Sequence, residues 1–246
     1  MVYSTTKTNN AMQIVKKHLS NGQYHTVKHE KNSLYLHHTE STTAMSAWRW
    51  WNSTPEVVGT AYIIDRDGVI YECFDPAVWA YHLGITHHGH WHNKHSIAIE
   101  LVSAGKLYFE SGQYRFYPLW PNKQRYTVIP ENEVHKLSKP WRGFEYYHNY
   151  NEDQLESLKW LIGRLILDFP TIKFDNPVKE IFDYNRKVIE ERIPGMWSHA
   201  TVRTDKTDVF PQPTLIKALE EVQKEILMVN KATQIPEVKI VGKKKK

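Results

Sequence analysis

The chain has 246 residues and a 41% hydrophobic content, which is enough for one sizeable core. Its single cysteine, Cys73, excludes an intramolecular disulfide, and we expect the thiol to be buried as a small apolar group. The formal net charge of +5 favours an anionic partner such as nucleic acid, a membrane surface or an acidic polymer, without distinguishing among them.

The sequence shows neither of two common targeting segments. Residues 1–10 are polar and lack the apolar stretch of a secretory signal. No apolar run approaches the roughly 20 residues of a membrane span. We therefore expect a protein that is made in the cytoplasm without membrane insertion.

The first hundred residues predict one helix, four strands and a second helix. Residues 7–19 place apolar side chains at near-helical spacing, which indicates an amphipathic helix. Residues 41–51 predict a helix capped by Thr39 or Ser41. Short runs rich in Ile, Val and Tyr predict strands at residues 34–37, 61–64, 69–74 and 96–101, with Asp67-Gly68 as a hairpin turn.

The second half of the chain is mostly helical in pattern. The strongest helix covers residues 152–169, which begin after Asn151 and stop before Pro170. Residues 213–229 predict the final helix, and residues 177–193 indicate another.

Together these elements predict an α/β fold: a single domain with a central mixed β-sheet flanked by helices. We place the domain at residues 1–230 and a basic C-terminal tail, ending in Lys243 to Lys246, at residues 231–246. An aromatic-rich insertion at about residues 103–150 interrupts the pattern. We expect it to form a hairpin around Ser111-Gly112 followed by irregular loops.

Histidines dominate the candidate metal ligands. A catalytic zinc site needs three ligands and one open position, and the sequence offers 14 histidines. His37 and His38 end one strand, so only one of them can face a given site. His199 and Asp208 are nine positions apart and would meet only if the loop between them turns back. The denser run from His87 to His95 is either a metal site or an exposed loop.

Five motifs in order carry a family resemblance. They are LYLHHTE, VGTAYIIDRDGVIYECF, WAYHLG, NKHSIAIEL and SHATVRTDKTDVFP, between residues 34 and 211. In order and spacing they resemble the zinc-dependent N-acetylmuramoyl-L-alanine amidases and peptidoglycan-recognition proteins. The resemblance implies that fold type, a zinc ion bound by His37, His199 and Asp208, and catalytic roles for Glu100 and Lys206.

The same resemblance assigns residues to the substrate groove. His82 matches a groove-lining histidine of the family, with Trp79 and Tyr81 beside it. Thr60 stands where the smaller phage amidases carry a catalytic tyrosine, which favours the branch of the family that uses a glutamate. Strand alternation is consistent with a catalytic role for Glu100, because it places Glu100 on the strand face opposite Ile99 and its apolar neighbours.

The implied activity is hydrolysis of the amide between N-acetylmuramic acid and L-alanine in peptidoglycan, by a monomer that needs no nucleic acid. The sequence favours a phage endolysin that reaches the cell wall after holin-type release. Three alternatives stay open: a cytoplasmic amidase that recycles muropeptides, a non-catalytic peptidoglycan-binding module, and a nucleic-acid binder supported only by charge and aromatic content.

Overall fold

The central sheet is mixed and has six strands within the described part of the chain, which in this computed structural model is residues 12–119 and 121–233. The described residues form eleven strands in two sheets, numbered here in chain order: β1 (Ile14–Lys16), β2 (Ser33–His38), β3 (Tyr62–Ile64), β4 (Ile70–Glu72), β5 (Ser96–Leu101), β6 (Lys106–Glu110), β7 (Gln113–Phe116), β8 (Thr127–Ile129), β9 (Val134–Trp141), β10 (Phe144–His148) and β11 (Met196–Ser198). The order in the central sheet is β1-β4-β3-β5-β2-β11. Strands β3, β5, β2 and β11 are mutually parallel, so their carboxyl ends share one edge.

Helices cover both faces of this sheet. They are α1 (Ala44–Trp51), α2 (His87–Lys94), α3 (Glu152–Asp168), α4 (Arg186–Glu190), α5 (His199–Val202) and α6 (Pro213–Thr233), with 3₁₀ turns at Glu131–Glu133 and Val178–Phe182. Leu34 and Leu36 of β2 enter the main core, which also contains buried residues of α3 and α6. Tyr35 enters a smaller cluster on the opposite face. None of the helices in the described residues is long and apolar enough to cross a membrane.

The predicted α/β domain with a central mixed sheet is confirmed. All four predicted strands are present, and β5 has the predicted bounds. The turn at Asp67-Gly68 joins the antiparallel strands β3 and β4, and Gly68 takes a φ of +81°. Helix α3 begins at a capping box formed by Asn151 and Gln154, because each satisfies a backbone N–H of the other. Cys73 is buried, as expected.

Some local expectations are wrong. Residues 14–16, predicted as part of a helix, form edge strand β1, because they pair in parallel with Ile70–Glu72 of β4, although Val15 remains exposed. Helix α1 is capped by Thr43, whose side chain accepts the backbone N–H of Ser46, and not by Thr39 or Ser41. The stretch 177–193 holds a 3₁₀ turn and the short helix α4 instead of one helix.

The insertion is a second sheet and not a set of irregular loops. Its five strands, counted over the described residues, are antiparallel in the order β8-β7-β6-β10-β9. The predicted hairpin at Ser111-Gly112 is confirmed, and both residues have positive φ. Leu107, Phe116 and Ile129 form a small core of its own. The predicted basic tail lies outside the described residues, except that α6 continues to residue 233.

Candidate metal centre and active site

Three of the predicted metal ligands meet at the carboxyl edge of the parallel strands. His37 lies near the end of β2, and His199 follows β11, the strand that pairs with β2. Asp208 comes from the loop after α5, which turns back so that the Asp208 carbonyl accepts the N–H of Ala200 at 2.9 Å. Carboxyl ends of parallel strands are common locations for ligand sites, since loops from neighbouring strands converge there.

The three side chains converge on one small volume. One carboxylate oxygen of Asp208, Oδ2, lies 3.0 Å from His37 Nδ1 and 3.1 Å from His199 Nδ1. One ligand atom from each residue lies within 4.8 Å of the others. All three residues are less than a tenth exposed, so surrounding protein atoms shield most of their surface from bulk water.

Hydrogen bonds behind the histidines determine which ring nitrogens face the site. His199 Nε2 lies 3.1 Å from the Leu83 carbonyl, which can only accept, so this nitrogen carries the proton. In this tautomer Nδ1 of His199 points a lone pair at Asp208. Metal-binding histidines are held in this way by a partner on the other ring nitrogen.

A longer chain of hydrogen bonds has the same effect on His37. Ser96 Oγ donates its only proton to the His92 carbonyl at 2.6 Å, so it must accept from His82 Nε2 at 2.9 Å. His82 Nδ1 is then the acceptor for His37 Nε2–H at 3.1 Å. His37 Nδ1 consequently has a free lone pair, and two nitrogen lone pairs converge with a carboxylate oxygen. Such a cluster repels itself unless a cation joins it.

The protonation states agree with this arrangement. Burial lowers the pKa of His37 to about 4. Burial alone would raise the pKa of the Asp208 carboxyl, but the neighbouring His199 and His37 rings hold it well below its usual value. At neutral pH the site therefore presents a neutral His37 and a carboxylate, the forms that bind metal ions.

Glu100 lies directly beside His37. The two residues are register partners on β5 and β2, so their side chains leave the sheet on the same face. Glu100 is 8% exposed, and its Oε2 has no hydrogen-bond partner among the described residues. Burial raises the pKa of Glu100 well above its usual value, the charges of Asp208 and Glu40 add to this, and Lys206 opposes it. An unpartnered buried carboxyl group is costly, and such groups are concentrated at functional sites.

Lys206 lies two residues before Asp208 on the same loop and is half-buried. Its positive charge lowers the pKa of Glu100 and contributes to lowering that of His37. The ammonium group is therefore within electrostatic reach of both side chains.

Of the four residues predicted to line the substrate groove, His82, Trp79 and Thr60 border one small cavity, and Tyr81 is not among its lining residues. His82 contacts His37 directly, as described above. Trp79 and Tyr81 pack instead with His25, whose ring stacks on Trp79 with 3.8 Å between centroids. The Thr60 hydroxyl is buried and donates to the Tyr62 carbonyl at 3.0 Å. Contact of these residues with substrate stays a prediction.

The histidine-rich run is divided: His87 and His88 are exposed and His88, Gly89 and His90 have left-handed backbone angles, as an exposed loop would, whereas the second half of α2 is helical and contains the buried His92. His92 is buried, and both of its ring nitrogens have hydrogen-bond partners: Nε2 donates to the Ile189 carbonyl, and Nδ1 accepts from the Tyr35 hydroxyl. Among the described residues, the ligand cluster of His37, His199 and Asp208 is the one group of three or more side chains that could hold a metal.

Sequence reasoning missed Ser96, which supports His82. A serine at the start of an apolar strand carries no special pattern. Its role depends on a loop residue 14 positions earlier, and only the folded arrangement reveals it.

A buried site of two histidines and one carboxylate, next to an unpartnered glutamate, is typical of the metal centres of hydrolases. Residues 27–213 match the N-acetylmuramoyl-L-alanine amidase family. This match spans most of the chain, and the protein belongs to that family. Its function is hydrolysis of the amide between N-acetylmuramic acid and L-alanine in peptidoglycan.

The chain is also similar to several solved structures. A mutant endolysin from Bacillus subtilis has 13% identity, with 88% of this chain and 99% of that one covered and a TM-score of 0.48. The amidase LysC from Clostridium intestinale URNW has 15% identity, coverage of 87% and 97%, and a TM-score of 0.42. AmiD from E. coli, solved with anhydro-N-acetylmuramic acid-L-Ala-D-gamma-Glu-L-Lys, has 16% identity, coverage of 80% and 61%, and a TM-score of 0.44. No curated protein sequence matches the chain.

Proposed function

We propose that the protein is a zinc-dependent amidase in which His37, His199 and Asp208 hold the metal and Glu100 and Lys206 act on the substrate. The observation that carries this proposal is the convergence of two histidine lone pairs and one carboxylate oxygen beside the buried, unpartnered Glu100. All these residues come from one chain, which also supports the proposal that a monomer is active.

The donor set fits zinc. Imidazole nitrogens and one carboxylate suit Zn²⁺, whereas Mg²⁺ and Ca²⁺ prefer oxygen ligands throughout. Three protein ligands leave a fourth position open, as in catalytic zinc sites. When bound, zinc supplies the Lewis acidity that activates water and polarises the scissile carbonyl.

The protein side chains handle the protons and the developing charge. Glu100, with its raised pKa, accepts a proton from the attacking water and passes it to the departing alanine nitrogen. The Lys206 ammonium stabilises the negative charge that develops on the carbonyl oxygen. Because Glu100 is beside His37 and shielded from solvent, its proton is exchanged at the reacting centre instead of with bulk water.

Digestion of purified sacculi tests the proposal. The expected products are new alanine amino groups without new reducing sugars, and activity is lost on metal removal and restored by zinc. Glu100→Gln should keep one zinc per chain and lower turnover by roughly 10²–10⁴-fold, the usual contribution of a general base. Full activity in metal-free protein would contradict the zinc proposal, and a Glu100→Gln variant at the wild-type rate would contradict the role of Glu100.

The same assay separates the alternatives. A recycling amidase would cleave soluble muropeptides but not sacculi, and a binding module would bind sacculi without releasing amines. We propose action on the wall itself, since the net charge of +5 favours approach to an anionic polymer. Release through a holin stays a prediction.

A further inference from the structure

The turn between β9 and β10 places an arginine in an unfavourable backbone conformation. Trp141 and Phe144 are register partners, so Arg142 and Gly143 form a two-residue hairpin turn. Both have positive φ, +51° and +86° respectively, which is the backbone pattern of a type I′ turn. Asparagine and glycine favour this pattern, whereas arginine adopts it at a cost in energy. The contacts of the Arg142 side chain must therefore compensate for that cost.

The guanidinium group of Arg142 contacts three backbone carbonyls at the end of α5. Nη2 donates to the Ala200 carbonyl at 2.9 Å. Nη1 donates to the Thr204 carbonyl and, at 3.4 Å, to the Arg203 carbonyl. The last carbonyls of a helix have no partner within the helix, and a planar guanidinium with several N–H groups can satisfy more than one of them. Arg142 thus caps the carboxyl end of α5 from the insertion.

Ala200 connects this contact to the proposed metal centre. It directly follows His199, and its N–H donates to the Asp208 carbonyl at 2.9 Å. One residue is therefore bonded to Arg142 through its carbonyl and to the backbone of a proposed metal ligand through its N–H. A displacement of Ala200 would be transmitted to both ligands.

A second contact holds the other end of the same loop. Tyr147 of β10 stacks on Phe210 with 4.3 Å between the ring centroids and 19° between the ring planes. Phe210 follows Asp208 by two residues. The β9–β10 hairpin therefore holds this loop at two points, one before Lys206 and one after Asp208.

We propose that Arg142 is a positioning residue, which holds the loop of Lys206 and Asp208 in place through the carbonyls of residues 200–204. The proposal rests on the proposed function of the amidase site. It gives the insertion a part in the reaction, because the hairpin that carries Arg142 belongs to the insertion. Arg142 acts through the loop backbone, so its loss should loosen the loop and leave the central sheet intact.

Arg142→Asn tests the proposal, because asparagine favours the turn but is too short to span the three carbonyls. In the metal-free protein, the Ala200 amide should exchange with solvent about tenfold faster than in the wild type, since its bond to Asp208 opens more often. The amide of the buried Ile99 in β5 should keep its wild-type exchange rate. Lys139→Ala is the matched control, because it removes an exposed cation from the same hairpin, and both amides should exchange at wild-type rates.

Zinc affinity and turnover provide two further readouts. Arg142→Asn should bind zinc about tenfold more weakly in competition with a chromogenic chelator, the lower limit for a residue that supports a metal ligand. Its kcat should fall roughly 10²-fold with little change in KM, because a misplaced Lys206 affects the transition state more than substrate binding. Lys139→Ala should match the wild type in both measurements.

Unchanged exchange at Ala200 in Arg142→Asn would overturn the proposal. Equal acceleration at Ala200 and Ile99 would also overturn it, since the whole protein would then be destabilised, and so would faster exchange at Ala200 with wild-type zinc affinity and kcat. If Arg142→Asn does not fold, Arg142→Lys keeps the charge but offers one donor nitrogen in place of two, and it should show the same difference between the two amides. If the wild type neither binds zinc nor cleaves the substrate, the proposed amidase function fails, while the exchange measurement still decides whether Arg142 holds the loop.

Discussion

Replacing His82 with phenylalanine should weaken zinc binding although no proposed ligand is removed. The substitution leaves His37 Nε2–H without its acceptor at 3.1 Å and deprives Ser96 Oγ of its donor at 2.9 Å. A phenyl ring keeps the edge-on packing against Tyr35 and His37, so the change is mainly one of hydrogen bonding. His37 is then free to adopt the tautomer that turns a proton toward the metal.

The expected magnitude follows from the position of His82 directly behind a buried ligand. Loss of such a supporting hydrogen bond typically costs 10–100-fold in metal affinity. That range corresponds to about 1.4–2.7 kcal/mol. Because His37 is only 2% exposed, water cannot readily replace the lost acceptor, and the upper half of the range is expected.

Competition with a chromogenic zinc chelator at neutral pH measures the effect. Ser33→Ala is the matched control, because Ser33 is also buried in the central sheet but its hydroxyl donates to Asn32 and is not part of the His82 chain. It should retain wild-type zinc affinity. A His82→Phe protein with wild-type affinity and an unchanged Tm would refute the hydrogen-bond chain as the determinant of the His37 tautomer.

Three further predictions concern catalysis and pH. Lys206→Ala should retain zinc and lose roughly 10²–10³-fold in kcat, the usual loss for a missing oxyanion partner. In the same assay Thr60→Ala should lose little, because the Thr60 hydroxyl is committed to a backbone carbonyl; the reverse order of losses would contradict the assignment. As the pH is lowered, the rate should begin to fall at a pH above 4.3, the usual pKa of glutamate, because the raised pKa of Glu100 means that the carboxylate is protonated there. The residual activity of Glu100→Gln should not show this fall. Burial lowers the pKa of Lys31 to about 7, so the unfolded chain binds more protons between pH 7 and roughly 10.4, and the free energy of unfolding should rise with pH across that window. Lys31→Met should lose this contribution in denaturant titrations at both ends of the window, and an unchanged pH dependence would contradict it.

The sequence was sufficient to predict which face of a β-strand each side chain occupies, because strand periodicity determines it. The alternation of β2 predicts that only one of the two adjacent histidines faces a given site, and the structure turns His37 toward Asp208 and His38 toward Tyr150. On β5 the same alternation separates Glu100 from Ile99, which lies in the main core. The motif pattern therefore predicted which side chains share a face, because a period of two leaves little freedom.

Sequence reasoning failed where distant segments decide the structure. Residues 14–16 have an apolar spacing that a helix could use, but pairing with β4, more than fifty residues away, makes them an edge strand. In the insertion, three of the four strand pairings join strands that are consecutive in sequence, but the fourth joins β6 to β10 across the segment between them. The tautomer of His37 depends on Ser96 through His82, and such a relay has no sequence signature.

The insertion leaves and rejoins the central domain at nearly the same point. The backbone N–H of His148 donates to the Gly105 carbonyl at 2.8 Å, and Tyr147 pairs with Lys106. A segment whose two ends are neighbours behaves as a cassette: it can be exchanged between scaffolds without stretching the host chain. Tyr147 must remain with the host, since it stacks on Phe210 in the main core. Grafting residues 106–146 would carry the small core of Leu107, Phe116 and Ile129 as one unit, but Arg142 donates to the carbonyls of Ala200 and Thr204, so the host would have to supply these partners beside the metal centre.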